Sequence, residues 1–418
     1  MKDKIRKIVQ FAYSRKTIVE NFSYLSLLQI VLLLAPLVTY PYLVGKLGMN
    51  LYGVIVSAQM LTGYAGILID CGTNAVCAKH VSINRDNKEK LAEIVNSVLA
   101  IRIVMAIMCF FIYMLVAYFV PAYHDYFFLF LISYGMVMQE VLFPQYFFQG
   151  VEKLLYPAVL SIVIKIIFII AIFIFIQSPS DYIYVPLLYM LGYTISSATG
   201  LYLVVVKMGV RLMIPQWEQI KIYLKDSSSI FATDVVCTIK DKFNYFFIGS
   251  SIGMAEVTIY DLGIKLSGLV SKPVSIMQTV MFPRMAKSRS LISVKRLILV
   301  SFTSAVVMCL FLNIFLPWIV EFFLHKKVDL FPIRILSLAP VILSVSGVLC
   351  TNFMVAFGYN KYVFYSIVFT TIAYIAMLLL VLIVGLDNSL YSFVYIAIAT
   401  YCVELVYRMY VTKKIILK

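Results

Sequence analysis

The chain has 418 residues, of which 62% are hydrophobic and only 13% charged, against about 25% charged in a soluble protein. That balance excludes a soluble globular domain and leaves a polytopic membrane protein. A net charge of +15 would suit a nucleic-acid partner, but the Lys and Arg residues fall between apolar runs, where they act as topology signals and not as a nucleic-acid surface.

In chain order, residues 1–20 carry Ile5, Ile8, Val9 and Ala12 at helical spacing among Lys and Arg. This is the pattern of an amphipathic helix lying on an anionic leaflet. Apolar runs near bilayer length, about 20 residues, follow at 21–43, 52–72, 93–120, 125–149, 154–177 and 182–206. After a polar connection from Lys207 to Asp226 they resume at 228–251, 257–283, 297–324, 331–358, 360–385 and 389–411. The pattern predicts an all-α polytopic protein with about twelve transmembrane helices, because barrel strands would alternate over about ten residues instead of staying apolar.

Within the first half, Pro36 and Pro41 kink or end the first span. Asp70 closes the second in LIDCGTN, either as a hydrated boundary residue or as a proton site. Glu140, in MQEVLFPQYFFQGVEKL, and Lys165, in a run of Ile, Val and Phe, form a polar cluster at the fourth and fifth spans. Neither Glu140 nor Glu152 is within i, i+4 reach of Lys165, so its partner comes from another helix, from water or from a ligand, unless the side chain snorkels to an interface.

The second half opens on the most unusual stretch, Phe231 to Pro273, where Asp234, Lys240, Asp241, Lys242, Glu256, Asp261, Lys265 and Lys272 interrupt a membrane-length pattern. A Lys or Asp at bilayer depth costs roughly 2.5 to 3.5 kcal/mol even on a lenient scale, so such groups face a bundle interior or a watery cavity. At 100° per residue Asp234, Thr238, Asp241 and Tyr245 share one face, and Asp261, Lys265, Gly268 and Lys272 share another. These stripes either line a common cavity or hold inward ion pairs such as Asp261 with Lys265 at i, i+4.

Basic residues crowd the N-terminal tail and the connections after even-numbered spans, at Arg85, Lys153, Arg211, Lys287 and Lys361 among others. By the positive-inside rule both termini are cytoplasmic, and no cleavable signal is evident. The seven cysteines lie in or beside spans without CxxC spacing, and His80, His124 and His325 fall in separate loops, so no metal site is expected. The absence of a P-loop, GxSxG or HExxH, and of any long loop, argues against an enzyme and against ATP hydrolysis.

The halves resemble each other. VGKLGMN at Val44 matches IGSSIGMA at Ile248, FQGVEK at Phe148 matches FGYNK at Phe357, and DYIYVPLLY at Asp181 is echoed by DNSLYSFVY at Asp387. The offset is about 205 to 208 residues, which spans an even number of helices and preserves orientation. Two parallel-repeat bundles of about six helices, residues 1–206 and 207–418, are therefore expected, with a substrate path between them.

FPQYFFQGVEKLLYP, NFSYLSLLQI, LAPLVTYPYLVGKLG, SINRDNKEKL, SPSDYIYVPLL and RILSLAP together resemble the Wzx-type polysaccharide flippases of the multidrug/oligosaccharidyl-lipid/polysaccharide (MOP) exporter superfamily. Tyr146 stands where that family usually has Trp. The resemblance implies a MATE-like carrier that moves an undecaprenyl-diphosphate-linked oligosaccharide, an O-antigen or capsule repeat unit, across the bacterial inner membrane by alternating access. It implies membrane lipids as surroundings, a polysaccharide polymerase and a chain-length regulator as partners, and no cofactor beyond a coupling proton or sodium ion. Lys165, Lys240, Lys242, Lys265 and Lys272 would form a cationic cavity for the diphosphate. Asp234, Asp241, Asp261, Glu140 and Asp70 would balance charge or carry the coupling ion. A drug or metabolite antiporter of the same superfamily and a membrane polysaccharide polymerase are the alternatives.

Overall fold

A computed structural model describes the backbone over residues 2–417 and the side chains of 35–240 and 242–417. The side chains of the segment expected to be amphipathic, 1–20, those of the first apolar run up to residue 34, and that of Asp241 lie outside the described residues. Among the described residues the chain is helical throughout and contains no β-strand, as the continuous apolar runs require. Nine helices are long and apolar enough to cross a membrane among the described residues.

The principal helices are α1 (Lys2–Asp70), α2 (Thr73–Ile83), α3 (Lys88–Phe119), α4 (Phe127–Gly150, interrupted), α5 (Leu155–Phe175), α6 (Pro179–Lys207), α7 (Trp217–Phe247), α8 (Met254–Ser288), α9 (Leu291–Leu324), α10 (Phe331–Val355), α11 (Asn360–Val384) and α12 (Leu390–Ile416). The 31-residue α7 and the 35-residue α8 are as long as their neighbours, yet they do not count among the nine apolar spans. Their charged side chains are the reason.

Two compact units make up the molecule. The first comprises the chain through Lys46 with Leu61–Ala232, and the second Leu47–Met60 with Thr233–Lys418. In the first, Cys77, Val81, Leu91, Val95, Phe143, Tyr146, Phe147 and Phe148 pack into one core, closed by Tyr223 from the start of α7. Asn87 caps α3 by accepting from the backbone N–H groups of Glu89 and Lys90, both at 3.1 Å. One side of α5 is open to the surroundings through Val159, Val163, Ile166, Ile167, Ile170 and Ile174, while Phe168 and Ile172 are buried on the other. An exposed stripe this apolar is a lipid-facing surface. In the second unit, Met285, Val294, Leu297, Val348, Phe353, Met354 and Val411 form the corresponding core.

Where helices break, local chemistry explains the break. Gly48 interrupts α1 at φ 79°, ψ 164°, and Gly253 precedes α8 at φ 145°, ψ 167°. Both φ values favour glycine, and each of these residues is followed by a methionine. Just after the first break, Gly53 lets α1 meet α8 backbone to backbone: a Cβ there would stand 1.8 Å from the carbonyl oxygen of Met254. Four residues into α8, Thr258 Oγ1 donates to the carbonyl of Met49 at 2.7 Å. The fifth residue after each break thus contacts the methionine that follows the other.

In α4, Pro144 has no N–H to give the carbonyl of Glu140, so the helix opens between Leu142 and Gln145. In α10 the final segment, Val348–Val355, widens into a π-helix. Asn352 in that segment donates to the carbonyl of Gln278 at 2.8 Å, and Gln278 donates to that of Ser344 at 3.0 Å, tying α10 to α8.

Candidate functional site

The ten residues singled out from the sequence fall on both units, with Asp70, Glu140 and Lys165 in the first and the other seven in the second. In the first unit the dominant polar feature is one that sequence reasoning passed over, Arg102 on α3, whose side chain is 1% exposed. Its Nη2 meets Asp70 Oδ1 at 2.5 Å, its Nε donates to Thr73 Oγ1 at 3.1 Å, and its Nη1 donates to the carbonyl oxygens of Glu140 at 2.8 Å and Phe143 at 3.3 Å. The guanidinium also lies 5.3 Å from the Tyr146 ring centroid. Arg102 therefore supplies the hydrogen bond that Pro144 cannot donate and neutralises Asp70 at the end of α1. A planar fork of five donors suits this task, and Lys would not reach all four acceptors.

Lys165 projects from the side of α5 opposite the lipid-facing stripe, next to buried Phe168. Its Nζ lies 5.4 Å from the ring centroid of Tyr189, 5.9 Å from Tyr193 and 6.0 Å from Phe168. Among the described residues it forms no ion pair within 4.0 Å. Three ring faces stabilise an ammonium through their quadrupoles, by about 0.5 to 2 kcal/mol each, without cancelling its charge. Glu140 is half-buried on α4, with its Cγ 3.2 Å from where a side chain on Gly66 would begin.

In the second unit, α8 presents Asp261 and Lys265 as the pair expected from their spacing, with Lys265 Nζ 2.5 Å from Asp261 Oδ2. Asp261 is 1% exposed and accepts a second hydrogen bond from Tyr245 of α7 at 3.3 Å. The Lys265 side chain is 34% exposed and also reaches the hydroxyl of Tyr52 from α1 at 3.5 Å. Next to this pair, Asn244 donates to the Tyr260 hydroxyl at 3.0 Å and accepts from that of Tyr374 at 2.8 Å, joining α7, α8 and α11.

A separate node forms around Glu404 of α12, also unanticipated from the sequence. It faces Arg408 Nη1 at 2.6 Å and Lys240 Nζ at 3.2 Å, and all three side chains are largely buried. Arg408 further donates to Ser346 Oγ at 2.8 Å, to the Ser346 carbonyl at 3.3 Å and to Ser366 Oγ at 3.3 Å, while Lys240 lies 5.8 Å from the Tyr401 ring. The i, i+4 spacing of Glu404 and Arg408 in a membrane span was the available signal. Of the remaining candidates, Lys242 is half-buried, and Asp234 and Lys272 are exposed. On α7 the face carrying Asp234 turns from exposed at that residue to buried at Thr238 and Tyr245, so its polar stripe enters the interior only beyond Asp234. No cluster of His, Cys, Asp and Glu suited to a metal ion occurs among the described residues.

Over residues 18–289, well over half its length, the chain matches the family model described as polysaccharide biosynthesis protein. It is 27% identical over 161 residues to the "Putative O-antigen transporter" of Escherichia coli (strain K12), a match covering 38% of this chain and 39% of that protein. Among solved structures, an inward-facing multidrug resistance MATE family transporter of the MOP superfamily superposes with a TM-score of 0.69 at 14% identity, over 91% of this chain and 95% of that one. A MOP superfamily transporter from Pyrococcus furiosus gives 0.63 at 14% identity, over 96% and 95%. The lipid II flippase MurJ, in an inward closed conformation, gives 0.65 at 12% identity, over 93% and 87%. At those identities the likeness is one of fold, and that fold is the MATE-like, all-helical membrane architecture expected from the sequence. With the family model matched over residues 18–289, the chain belongs to the polysaccharide biosynthesis protein family.

Proposed function

We propose that the protein is a transporter that flips a lipid-linked oligosaccharide across the bacterial inner membrane, with the diphosphate of an undecaprenyl carrier held by lysine. The observation that carries this reading is Lys165. Lys240 and Lys265 each face a carboxylate, at 3.2 and 2.5 Å, whereas Lys165 is held by three aromatic rings on the side of α5 turned away from lipid. A half-buried ammonium within a membrane span is costly unless an anion visits it, and a diphosphate crossing hydrocarbon needs such a partner. Asp70, Asp261 and Glu404, three carboxylates that a cation-exporting antiporter could use, are each paired with Lys or Arg.

The two halves, residues 1–206 and 207–418, act in this reading as parallel bundles that alternate access, and both termini are cytoplasmic. The glycine breaks at Gly48 and Gly253 and the repeated sequence segments support the duplication. Coupling to a proton or sodium ion and delivery of the repeat unit to a polymerase and chain-length regulator belong to the same proposal. Complementation of a flippase-deficient strain, with lipid-linked intermediates followed on both membrane faces, tests it. Export should be restored by the wild-type chain and lost in Lys165→Ala at equal expression; wild-type export by that variant would remove Lys165 from the mechanism.

A further inference from the structure

The connection from Lys207 to Asp226 is polar in overall composition, yet several of the side chains it exposes are large and apolar. Leu212, Met213 and Trp217 are each more than half exposed, and Ile214 is 97% exposed. They do not hang from a loose loop. Val210 before them and Tyr223 after them are buried in the core of the first unit, and the Tyr223 hydroxyl donates to Glu93 at 3.1 Å. Between these two anchors Asn96 of α3, itself buried, donates to the carbonyl of Arg211 at 2.8 Å and accepts from the N–H of Met213 at 3.0 Å. One buried amide thus fixes the backbone on both sides of Leu212, and the apolar side chains stand out from a rigid base.

We infer that residues 207–221 form a membrane-surface anchor selective for anionic phospholipid. Surface connections are ordinarily built from polar turn residues, so Leu, Met, Ile and Trp held outward together mark an interaction surface. Two observations favour lipid over a protein partner. The strip continues the apolar exterior of α6, where Tyr202 and Val206 are both exposed. It also sets Trp among basic residues, the combination that the boundary between hydrocarbon and headgroups favours. From Lys207 to Lys225 the chain has four basic residues, Lys207, Arg211, Lys221 and Lys225, against Glu218 as its single acidic one, and all five are exposed. That charge balance complements an anionic leaflet and repels a basic partner.

The cations are placed to meet phosphate. Lys221 Nζ lies 5.6 Å from the Trp217 ring centroid and Lys207 Nζ 5.4 Å from that of Tyr156, contacts that steady an ammonium without cancelling its charge. Among the described residues Lys207, Arg211 and Lys221 form no ion pair within 4.0 Å. Lys88, at the start of α3, adds a further ammonium beside Gly209, 3.7 Å from where a Cβ there would stand. Leu212, Met213 and Ile214 then enter the acyl boundary while the Lys and Arg heads stay at phosphate depth, the division that long basic side chains allow. The inference goes beyond the flippase reading and holds whatever the protein carries.

The chain has two tryptophans, so Trp318→Phe leaves Trp217 as the single indole fluorophore. The full chain with that change is placed in phosphatidylcholine nanodiscs. These contain, at one low mole fraction, either phosphatidylglycerol or phosphatidylcholine bearing a nitroxide near the top of an acyl chain. Trp217 should be quenched by both lipids and more strongly by the anionic one, by up to about fivefold for each basic residue engaged. The preference should fall in Lys207→Gln/Arg211→Gln, and also at about 1 M salt, where the screening length is about 3 Å. If Trp318→Phe fails to fold, the difference between the wild-type chain and Trp217→Phe gives the same reading, because Trp217 is exposed. Equal quenching by the two lipids, or a preference unchanged in the double variant, overturns the inference. Quenching by neither overturns it as well and leaves the strip to water or to a protein partner.

Discussion

Arg102 in the first unit and Arg408 in the second perform the same local task in different electrostatic settings. Each donates to a backbone carbonyl where the α-helical ladder is interrupted, at Glu140 before Pro144 and at Ser346 just before the π-helix Val348–Val355. Each also holds a carboxylate, at 2.5 Å for Asp70 and 2.6 Å for Glu404. The difference is Lys240, which gives Glu404 a second cation at 3.2 Å. In the first unit, then, one arginine alone carries the ion pair and the helix break; in the second the load is distributed over three side chains. Burying a charge to hold backbone together is a structural use, distinct from the anion-binding role proposed above for Lys165.

The sharpest way to break that comparison is to remove each arginine. Arg102→Met strands Asp70 and two carbonyls and should cost about 3–5 kcal/mol, seen as a large drop in the melting temperature of the solubilised protein or as failed expression. Arg408→Met leaves Lys240 on Glu404 and should cost less than half as much. Equal losses would mean that the two nodes are not different in kind.

The lysines sharpen the same contrast on the functional side. Lys165→Ala should lower transport at least tenfold, the weight of one charge-assisted contact of about 1.5–3 kcal/mol, with folding and expression preserved. Lys240→Ala should leave Glu404 bound to Arg408 and change transport by a smaller factor. A larger transport defect in Lys240→Ala would shift the anion site to the second unit.

Glycine substitutions compare the units by packing. Gly53→Leu drives a side chain into the Met254 carbonyl, 1.8 Å from the new Cβ, and should destabilise by roughly 1–3 kcal/mol. Gly66→Ala meets only the Glu140 Cγ at 3.2 Å, an atom of a flexible side chain, and should be nearly neutral. Thermal melts of the two variants read this difference directly.

The smallest effect is expected at Asp329, in the connection before α10. The Tyr391 hydroxyl and then the Phe331 N–H hold its carboxyl below the usual carboxylate range. A depressed folded-state pKa contributes stability above the unfolded value, about 3.9, that is lost as pH falls through the folded one. Asp329→Asn should therefore destabilise the protein slightly at pH 7, by less than about 1 kcal/mol for so exposed a group, seen as a small drop in melting temperature, and remove that part of the acid sensitivity. A large shift would mean that this clasp carries more of the second unit than its exposure suggests.

Apolar runs of bilayer length, prolines and glycines determined by themselves that the chain is helical and spans a membrane, because hydrocarbon leaves backbone polar groups no partner except one another. The sequence also determined the Asp261–Lys265 pair, since residues four apart on a helix are neighbours whatever surrounds them. The Glu404–Arg408 pair was legible by the same rule, but its use was not, because Lys240 comes from α7, 164 positions away. Tertiary structure alone decided that Arg102 serves the carbonyl freed by Pro144, and that Lys165 lies among Tyr189, Tyr193 and Phe168. The physical reason is common to all three cases. What a buried charge costs or does depends on groups brought to within about 4 Å by packing, and packing between helices distant in the chain is not written in the spacing along any one of them.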